Sequence, residues 1–163
     1  MTFYLARALL EDLPTMIDME SELFGSDAWS PELMVAEISH PHSYYLVARP
    51  DGQPEVCGYG GLRVVPGSGV GDIQTLAVAA NFRGVGLGRL LLEALLSQAR
   101  SSGVREVFLE VRADNDVARA LYEHCGFVAI DSRVGYYQPD NVDAIVMRVE
   151  LSPAQTSLAV GHE

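Results

Sequence analysis

The chain has 163 residues, of which 48% are hydrophobic and 20% charged, a composition that fits one soluble globular domain with a substantial core. Its net charge of −11 argues against binding to a nucleic-acid backbone and favours a cationic partner, such as an amine or a basic protein. Neither a signal-peptide pattern nor an apolar run of membrane-spanning length is present. We therefore expect a cytoplasmic protein with no nucleic-acid or membrane partner.

The two cysteines and four histidines do not have the spacing of a disulfide framework or a metal site. Cys57 and Cys125 lie in apolar surroundings, which is typical of small buried thiols. We therefore expect neither a disulfide nor a bound metal.

Hydrophobic periodicity and capping signals predict the secondary structure in chain order. Ser30 followed by Pro31 is typical of a helix start, and Gly103 and Gly126 are typical of helix ends. The predicted strands are 3–7, 43–48, 56–65, 73–78, 106–112, 127–137 and 142–151, and the predicted helices are 11–24, 30–40, 86–102 and 115–125.

This order of elements predicts an α/β fold in one domain, residues 1–151, followed by a disordered tail, 152–163. Consecutive strands early and late in the chain favour antiparallel pairs. The two strands on either side of the third helix are predicted to be parallel neighbours joined by a right-handed crossover. The sheet is therefore mixed, mostly antiparallel, with helices on both faces.

Residues 72–100 contain a strand, a glycine-rich turn and a helix start in immediate succession. Glycines allow close backbone approach, and the first turn of a helix presents unpaired N–H groups, so the segment is typical of a phosphate site. The dinucleotide fingerprint fails by one residue, because Arg89 stands where the third glycine belongs, and a Walker motif is excluded because the chain has no lysine. A simple helix start after a glycine turn remains an alternative.

Residues 109–127 form the second informative segment. On the predicted strand, Glu110 lies on the opposite face from Leu109 and Val111, and a helix-covered strand would give it a mostly apolar setting. An ion pair with an arginine, or a partly hydrated edge position, is the alternative. On the following helix, Asn115 is explained by capping and Tyr122 by packing, beside a predicted buried stripe of Val117, Ala118, Leu121 and Cys125.

Together these motifs resemble the GCN5-related N-acetyltransferase (GNAT) superfamily. They comprise Arg83-x-x-Gly86-x-Gly88, the LEVR strand at 109–112 and the N-x-x-A-x-x-L-Y-x-x-x-G-F pattern from Asn115. Arg133-x-x-Tyr136-Tyr137 with Asp143-Ala144-x-x-Met147 is similar to the RimI-type branch, which acetylates the N-terminal alanine of ribosomal protein S18. The resemblance covers roughly residues 3–150.

The resemblance implies acetyl-CoA as co-substrate and assigns roles to particular positions. Glu110 would be the general base and Tyr122 the general acid, with Asn115 and Tyr122 also near the donor. The remaining donor-binding positions would be the strand backbone at Leu76, Ala77 and Val78 and the turn Arg83, Gly84, Val85, Gly86, Leu87, Gly88 and Arg89. Trp29, Tyr136 and Tyr137 would line the peptide site, although the tyrosine pair is also explained as ordinary strand aromatics.

The function expected from the resemblance is direct acetyl transfer, in a ternary complex, to the α-amine of a protein N-terminus, with S18 as the partner. A GNAT enzyme that acetylates lysine side chains or a small-molecule amine is the first alternative. A non-catalytic acetyl-CoA-binding module is the second, and the presence of both Glu110 and Tyr122 argues against it.

Overall fold

The computed structural model describes residues 1–153, so the predicted tail lies almost entirely outside the described residues. The element order agrees with the sequence prediction. The strands are β1 Phe3–Arg7, β2 Ser43–Pro50, β3 Gly58–Val64, β4 Val70–Val78, β5 Glu106–Arg112, β6 Val128–Tyr137 and β7 Val142–Glu150. The helices are α1 Leu13–Phe24, α2 Pro31–Ser39, α3 Leu87–Ser101 and α4 Asp116–His124.

Local sequence signals explain where the helices begin. Ser30 accepts a hydrogen bond from the backbone N–H of Leu33 and caps α2, whose first residue is Pro31. Asn115 caps α4 in the same way. A short 3₁₀ turn, Leu10–Asp12, precedes α1, so this helix begins two residues later than the sequence predicts.

The seven strands form one sheet in the order β1-β2-β3-β4-β5-β7-β6. Only β4 and β5 are parallel, and α3 connects them. All other neighbours are antiparallel. The predicted fold class, a mixed and mostly antiparallel sheet, is confirmed.

Each face of the sheet carries its own hydrophobic core. Along β2, Leu46 and Ala48 belong to the core beneath α3 and α4, whereas Tyr45 and Val47 belong to the core beneath α1 and α2. This alternation is the period of two expected for a strand covered on both sides. The helices therefore lie on both faces, as predicted.

The parallel pair β4–β5 is short because the two strands diverge. Pairing covers only Val70 to Asp72 on β4 and Glu106 to Phe108 on β5. A bulge follows at once, because Gly61 pairs with Thr75 and Leu62 pairs with Ile73, which leaves Gln74 as an extra residue. Beyond the bulge, β4 stays with β3 and β5 stays with β7, and a cleft opens between the two strands.

The prediction that Val117 is a core residue is wrong. Val117, predicted in the buried stripe of α4, is 83% exposed, whereas Ala118, Leu121 and Cys125 pack against the core. At 3.6 residues per turn these three residues share one stripe, and Val117 lies about 75° from its centre.

Candidate active site

The divergence of β4 and β5 creates a small cavity of about 180 Å³. Glu110 and Tyr122, predicted from sequence as the base and the acid, both line it. Leu76 and Asn115, predicted on the donor side, also line it, together with Tyr137 from β6. The fold therefore brings together residues that are up to 117 positions apart in the chain (20 to 137).

A larger cleft of about 830 Å³ adjoins this cavity. Trp29, Tyr136 and Tyr137, the three predicted peptide-binding residues, all line the larger cleft. Glu110 and Tyr137 line both spaces and therefore lie at their junction.

Glu110 has a polar setting, so the expectation that its surroundings are mostly apolar is wrong. Its side chain is 32% exposed, and its Oε2 lies 2.8 Å from Nε of Arg133 on β6. The core beneath α3 and α4 takes up the opposite face of β5, which carries Leu109 and Val111. The carboxylate is consequently paired, hydrated and directed into the cleft.

Tyr122 is buried, in contrast to Glu110. Its ring packs edge-on against Phe127, with centroids 5.9 Å apart, and only 8% of the residue is exposed. Burial, with a smaller contribution from Tyr137, raises the pKa of Tyr122 to about 12. The phenol therefore keeps its proton at neutral pH.

The edge of β4 that faces away from β3 carries backbone groups beyond Asp72 that pair with no neighbouring strand. The N–H of Ala79 donates to the C=O of Cys57. Because the C=O and N–H of one trans peptide point in opposite directions, the C=O of Val78 points away from β3, and Nε of Arg83 lies 3.4 Å from it. Alternation gives Leu76 the same orientation, whereas the backbone of Ala77 faces its partner Tyr59.

The turn before α3 has no side-chain cap. Gly84 and Gly86 have φ of +77° and +85°, a region that residues with a Cβ rarely adopt. Gly86 is the N-cap residue and offers no side chain to the first-turn N–H groups of Leu87, Gly88 and Arg89. Gly88 has a different role, since a Cβ there would lie 3.2 Å from Leu121 of α4. The segment thus presents free N–H groups at the positive end of a 15-residue helix.

Asn115 lines the small cavity, but its Oδ1 already accepts the N–H of Ala118 at 3.1 Å. Capping of α4 is therefore a sufficient reason for an asparagine at this position.

A bulge in β6 explains how two consecutive tyrosines line the same cleft. Arg133 pairs with Ala144 and Tyr137 pairs with Val142, so β6 contains two residues more than the matching part of β7. Without the bulge, neighbouring strand residues would point to opposite faces. The two rings instead lie 5.1 Å apart in an edge-on arrangement.

Two side chains that the sequence patterns do not single out hold the loop containing Trp29. Glu20 is buried, and its carboxylate accepts hydrogen bonds from the Tyr59 hydroxyl at 2.6 Å and from the backbone N–H of Trp29 at 3.0 Å. Arg112 donates to Asp27 of the same loop at 2.7 Å. The sequence signal for Glu20 is a glutamate four residues after Met16, on the apolar side of α1. Asp27, the partner of Arg112 in this loop, lies 85 residues away and has no local signal.

The larger cleft is acidic. Asp27, Asp72 and Glu110 line it, and Arg133 is the arginine among its lining residues. Burial, and then the nearby charge of Glu110, raises the pKa of Asp72, while Arg63 acts in the opposite direction. This charge distribution suits a cationic acceptor such as an ammonium group.

The diverging strands, the uncapped glycine turn and a Glu–Tyr pair at one cavity define an acyl-CoA-dependent N-acyltransferase. The family profile described as "Acetyltransferase (GNAT) family" matches residues 13–127. The chain belongs to this family, whose enzymes use acetyl-CoA.

Comparison with individual proteins gives a more specific similarity within the family. The chain is 39% identical to N-alpha-acetyltransferase RimI of Mycobacterium tuberculosis over 142 residues, 84% of this chain and 85% of that protein. It is 42% identical over 79 residues to the [ribosomal protein bS18]-alanine N-acetyltransferase of Escherichia coli strain K12, 47% of this chain and 53% of that protein. The crystal structure of the E. coli ribosomal-protein-S18-alanine N-acetyltransferase superposes with a TM-score of 0.83 at 28% identity, covering 98% of this chain and all of the other.

Among residues 1–153, no helix is long and apolar enough to cross a membrane.

Proposed function

We propose that this chain transfers the acetyl group of acetyl-CoA to the α-amine of a protein N-terminus, and that its acceptor is the N-terminal alanine of ribosomal protein S18. The convergence of Glu110 and Tyr122 on one cavity between β4 and β5 carries the proposal. The similarity to RimI of M. tuberculosis and to the E. coli S18-alanine N-acetyltransferase supports the choice of acceptor.

The donor side offers a set of contacts for acetyl-CoA as co-substrate. The backbone groups of Leu76 and the N–H of Val78, which pair with no neighbouring strand, can hydrogen-bond the amides of a pantetheine arm. The uncapped N–H groups at the start of α3 suit the pyrophosphate, because they combine unpaired donors with the positive end of the helix dipole. No side chain or backbone atom comes within 4 Å of a Cβ built at Gly84 or Gly86, so a ligand has free access to this turn.

On the acceptor side, Glu110 is placed to take the first proton. An α-ammonium has a pKa near 8, so a carboxylate can remove its proton, directly or through water, at modest energetic cost. The free amine then attacks the thioester carbonyl, forming the new C–N bond. The backbone N–H of Val78, at the open edge of β4, suits polarisation of that carbonyl.

Tyr122 is the proposed proton donor for the departing thiolate. Its raised pKa, about 12, keeps the phenol protonated at neutral pH. Collapse of the tetrahedral adduct breaks the C–S bond, and the thiolate takes the phenolic proton. The attacking nitrogen releases its one excess proton to solvent and keeps the other as the amide N–H. The Tyr122 phenolate then regains a proton from solvent, which returns the tyrosine to its neutral state. No covalent intermediate with the enzyme is required.

The acidic cleft supports an acceptor with a positive charge. Asp27 and Asp72 surround the entry to Glu110, and Trp29, Tyr136 and Tyr137 supply aromatic walls for the first residues of a peptide. Trp29 is held in place by the carboxylate of Glu20.

A matched pair of peptides tests the proposal. One carries the S18 N-terminal sequence with a free α-amine, and the other carries the same sequence with the α-amine blocked and one added lysine. We expect acetyl-CoA-dependent acetylation of the first peptide only, at the α-nitrogen, as located by tandem mass spectrometry. Acetylation of the lysine peptide with no reaction at free α-amines would refute the proposed acceptor.

The acidic cleft also favours a second candidate, acetylation of a lysine side chain or a small amine. Because the lysine pKa is near 10.4, such a reaction would accelerate steeply above about pH 8.5. A rate on the S18 peptide that levels off between about pH 8 and 9 supports the α-amine instead.

A non-catalytic module is tested with the double variant Glu110→Gln/Tyr122→Phe. Wild-type transfer rates from this variant would contradict the proposed roles of both residues.

A further inference from the structure

Arg112 connects three separate segments around the acceptor cleft. It is the last residue of β5, and its side chain is 22% exposed. Nη1 lies 2.7 Å from Asp27 in the loop between α1 and α2. Nε and Nη2 lie 3.0 and 3.1 Å from the two oxygens of Asp114, and Nη2 lies 3.2 Å from Asp140 in the β6–β7 turn.

The same guanidinium also lies against an aromatic wall of the cleft. Its Cζ is 5.4 Å from the centroid of the Tyr137 ring. Tyr137 and Asp27 both line the large cleft and the small cavity, so Arg112 contacts one residue from each side of the entry. A planar fork with five donors can serve three carboxylates and an aromatic face at once, which a lysine ammonium cannot do in this geometry.

The charges of these residues affect the shape of the cleft. One positive charge lies among three carboxylates, Asp27, Asp114 and Asp140. Without it, the three would repel one another, and Asp27 would lose its cationic partner in a cleft that Asp72 and Glu110 also line. The loop that carries Asp27 and Trp29 would then move outward from the β6–β7 turn.

We propose that Arg112 is a positioning residue that sets the width of the acceptor cleft by holding the 25–29 loop and the β6–β7 turn together. It acts through Asp27 and Tyr137 and takes no part in proton transfer. This inference rests on the proposed function, because it deepens the account of the same acceptor site.

The chain offers a direct probe of this positioning, since Trp29 is its single tryptophan. Trp29 lies two residues from Asp27 and is half-buried. Loss of the Arg112–Asp27 contact should expose the indole, so Arg112→Gln should show stronger acrylamide quenching of Trp29 fluorescence than the wild type under native conditions.

Arg148→Gln is the matched control. Arg148 contacts two carboxylates, Glu106 at 2.5 Å and Glu150 at 3.4 Å, but does not line the cleft. Its replacement removes a comparable number of surface ion pairs and should leave the quenching of Trp29 unchanged.

Steady-state kinetics supply the second readout. For Arg112→Gln we expect the KM for an Ala-initiated peptide to rise about tenfold, while the KM for acetyl-CoA stays within about twofold of wild type. A purely structural defect would lower the active fraction and reduce kcat without this difference between the two substrates.

Asp27→Asn leaves the guanidinium in place and keeps the test valid if Arg112→Gln folds poorly. It should raise the KM for the peptide in the same direction, and the double variant should be less impaired than the product of the two single effects. Unchanged quenching and an unchanged peptide KM in both single variants would overturn the inference. If the wild type acetylates no free α-amine, the proposed function fails, and the fluorescence comparison still decides whether Arg112 holds the loop.

Discussion

The carboxylate of Glu110 lies 2.8 Å from the guanidinium of Arg133, so the proposed base on β5 is tied to the strand that carries the tyrosine pair. The two side chains are 32% and 58% exposed. An ion pair this hydrated contributes at most about 1 kcal/mol. An incoming α-ammonium can therefore replace Arg133 beside Glu110 at little energetic cost.

Replacing Glu110 with Gln should remove the proton acceptor and preserve its shape. We expect kcat/KM for the peptide to fall by about 10²- to 10⁴-fold, the usual contribution of general base catalysis. Because Glu110 lies outside the glycine turn before α3, the KM for acetyl-CoA should change little. Initial-rate measurements with both substrates varied give these values.

Glu106→Gln is the control for that substitution. Glu106 is on the same strand and pairs with Arg148, but it does not line the cleft. Equal losses in the two variants would show that an ion pair on β5, rather than a base, is what the enzyme needs.

Tyr122→Phe separates the contribution of the hydroxyl group from that of the aromatic ring. The ring should keep its edge-on contact with Phe127, so unfolding free energy should change by about 1 kcal/mol or less, while kcat falls by about 10²-fold. Thermal unfolding and single-turnover rates measure the two quantities. A variant that loses stability and keeps its rate would identify Tyr122 as a packing residue, the alternative that its burial also allows.

Much of the fold could be predicted because its signals are local. The Ser30–Pro31 start of α2, the glycine turn before α3 and the period-two pattern of β5 each depend on a few neighbouring residues. The motifs from Arg83 to Phe127 then identified the family, which the family comparison confirms.

The acceptor side was less predictable because its geometry depends on contacts distant in sequence. The bulge that turns both Tyr136 and Tyr137 into the cleft arises from the pairing of β6 with β7, and strand alternation alone would separate them. Likewise, the polar setting of Glu110 comes from Arg133, 23 residues later (110 to 133), and the Arg112–Asp27 contact spans 85 residues. Patterns of hydrophobicity contain no information about such pairs.

Gly86→Ala tests the proposed pyrophosphate site. A Cβ at φ +85° costs about 1–2 kcal/mol and should move the first-turn N–H groups of α3. We expect the KM for acetyl-CoA to rise about tenfold, with the KM for the peptide nearly unchanged, because the acceptor cleft does not include this turn.

Gly103→Ala provides the matched control at the other end of α3. Gly103 has φ +81°, and a Cβ built there would also have no atom within 4 Å. The two variants should lose similar stability, but only Gly86→Ala should weaken the donor side. An equal rise in the KM for acetyl-CoA in both would mean that α3 stability, and not its N-terminal N–H groups, governs donor binding.

Asp72→Asn should stabilise the protein near neutral pH. Burial and the charge of Glu110 raise the pKa of Asp72 in the folded state, so the folded protein holds this proton more tightly than the unfolded chain. The charged form therefore lowers stability above that raised pKa, and the penalty disappears as pH falls towards the unfolded value of 3.8. The Tm gain of Asp72→Asn should be largest at about pH 7 and shrink as pH falls to about 4.

Asp114→Asn should behave in the opposite sense, because a hydrogen bond from Arg112 lowers the pKa of Asp114. Its ionised form adds stability that is present above the unfolded pKa and lost as pH falls through the folded one, so the variant should have a slightly lower Tm at about pH 7 and approach the wild type in acid. The effect is small because Asp114 is exposed.

The pH dependence is the decisive measurement for Asp72→Asn. A Tm gain that does not depend on pH would mean that the shape of the side chain, and not its charge, is responsible. The charge of Asp72 would then not lower the stability of the folded protein.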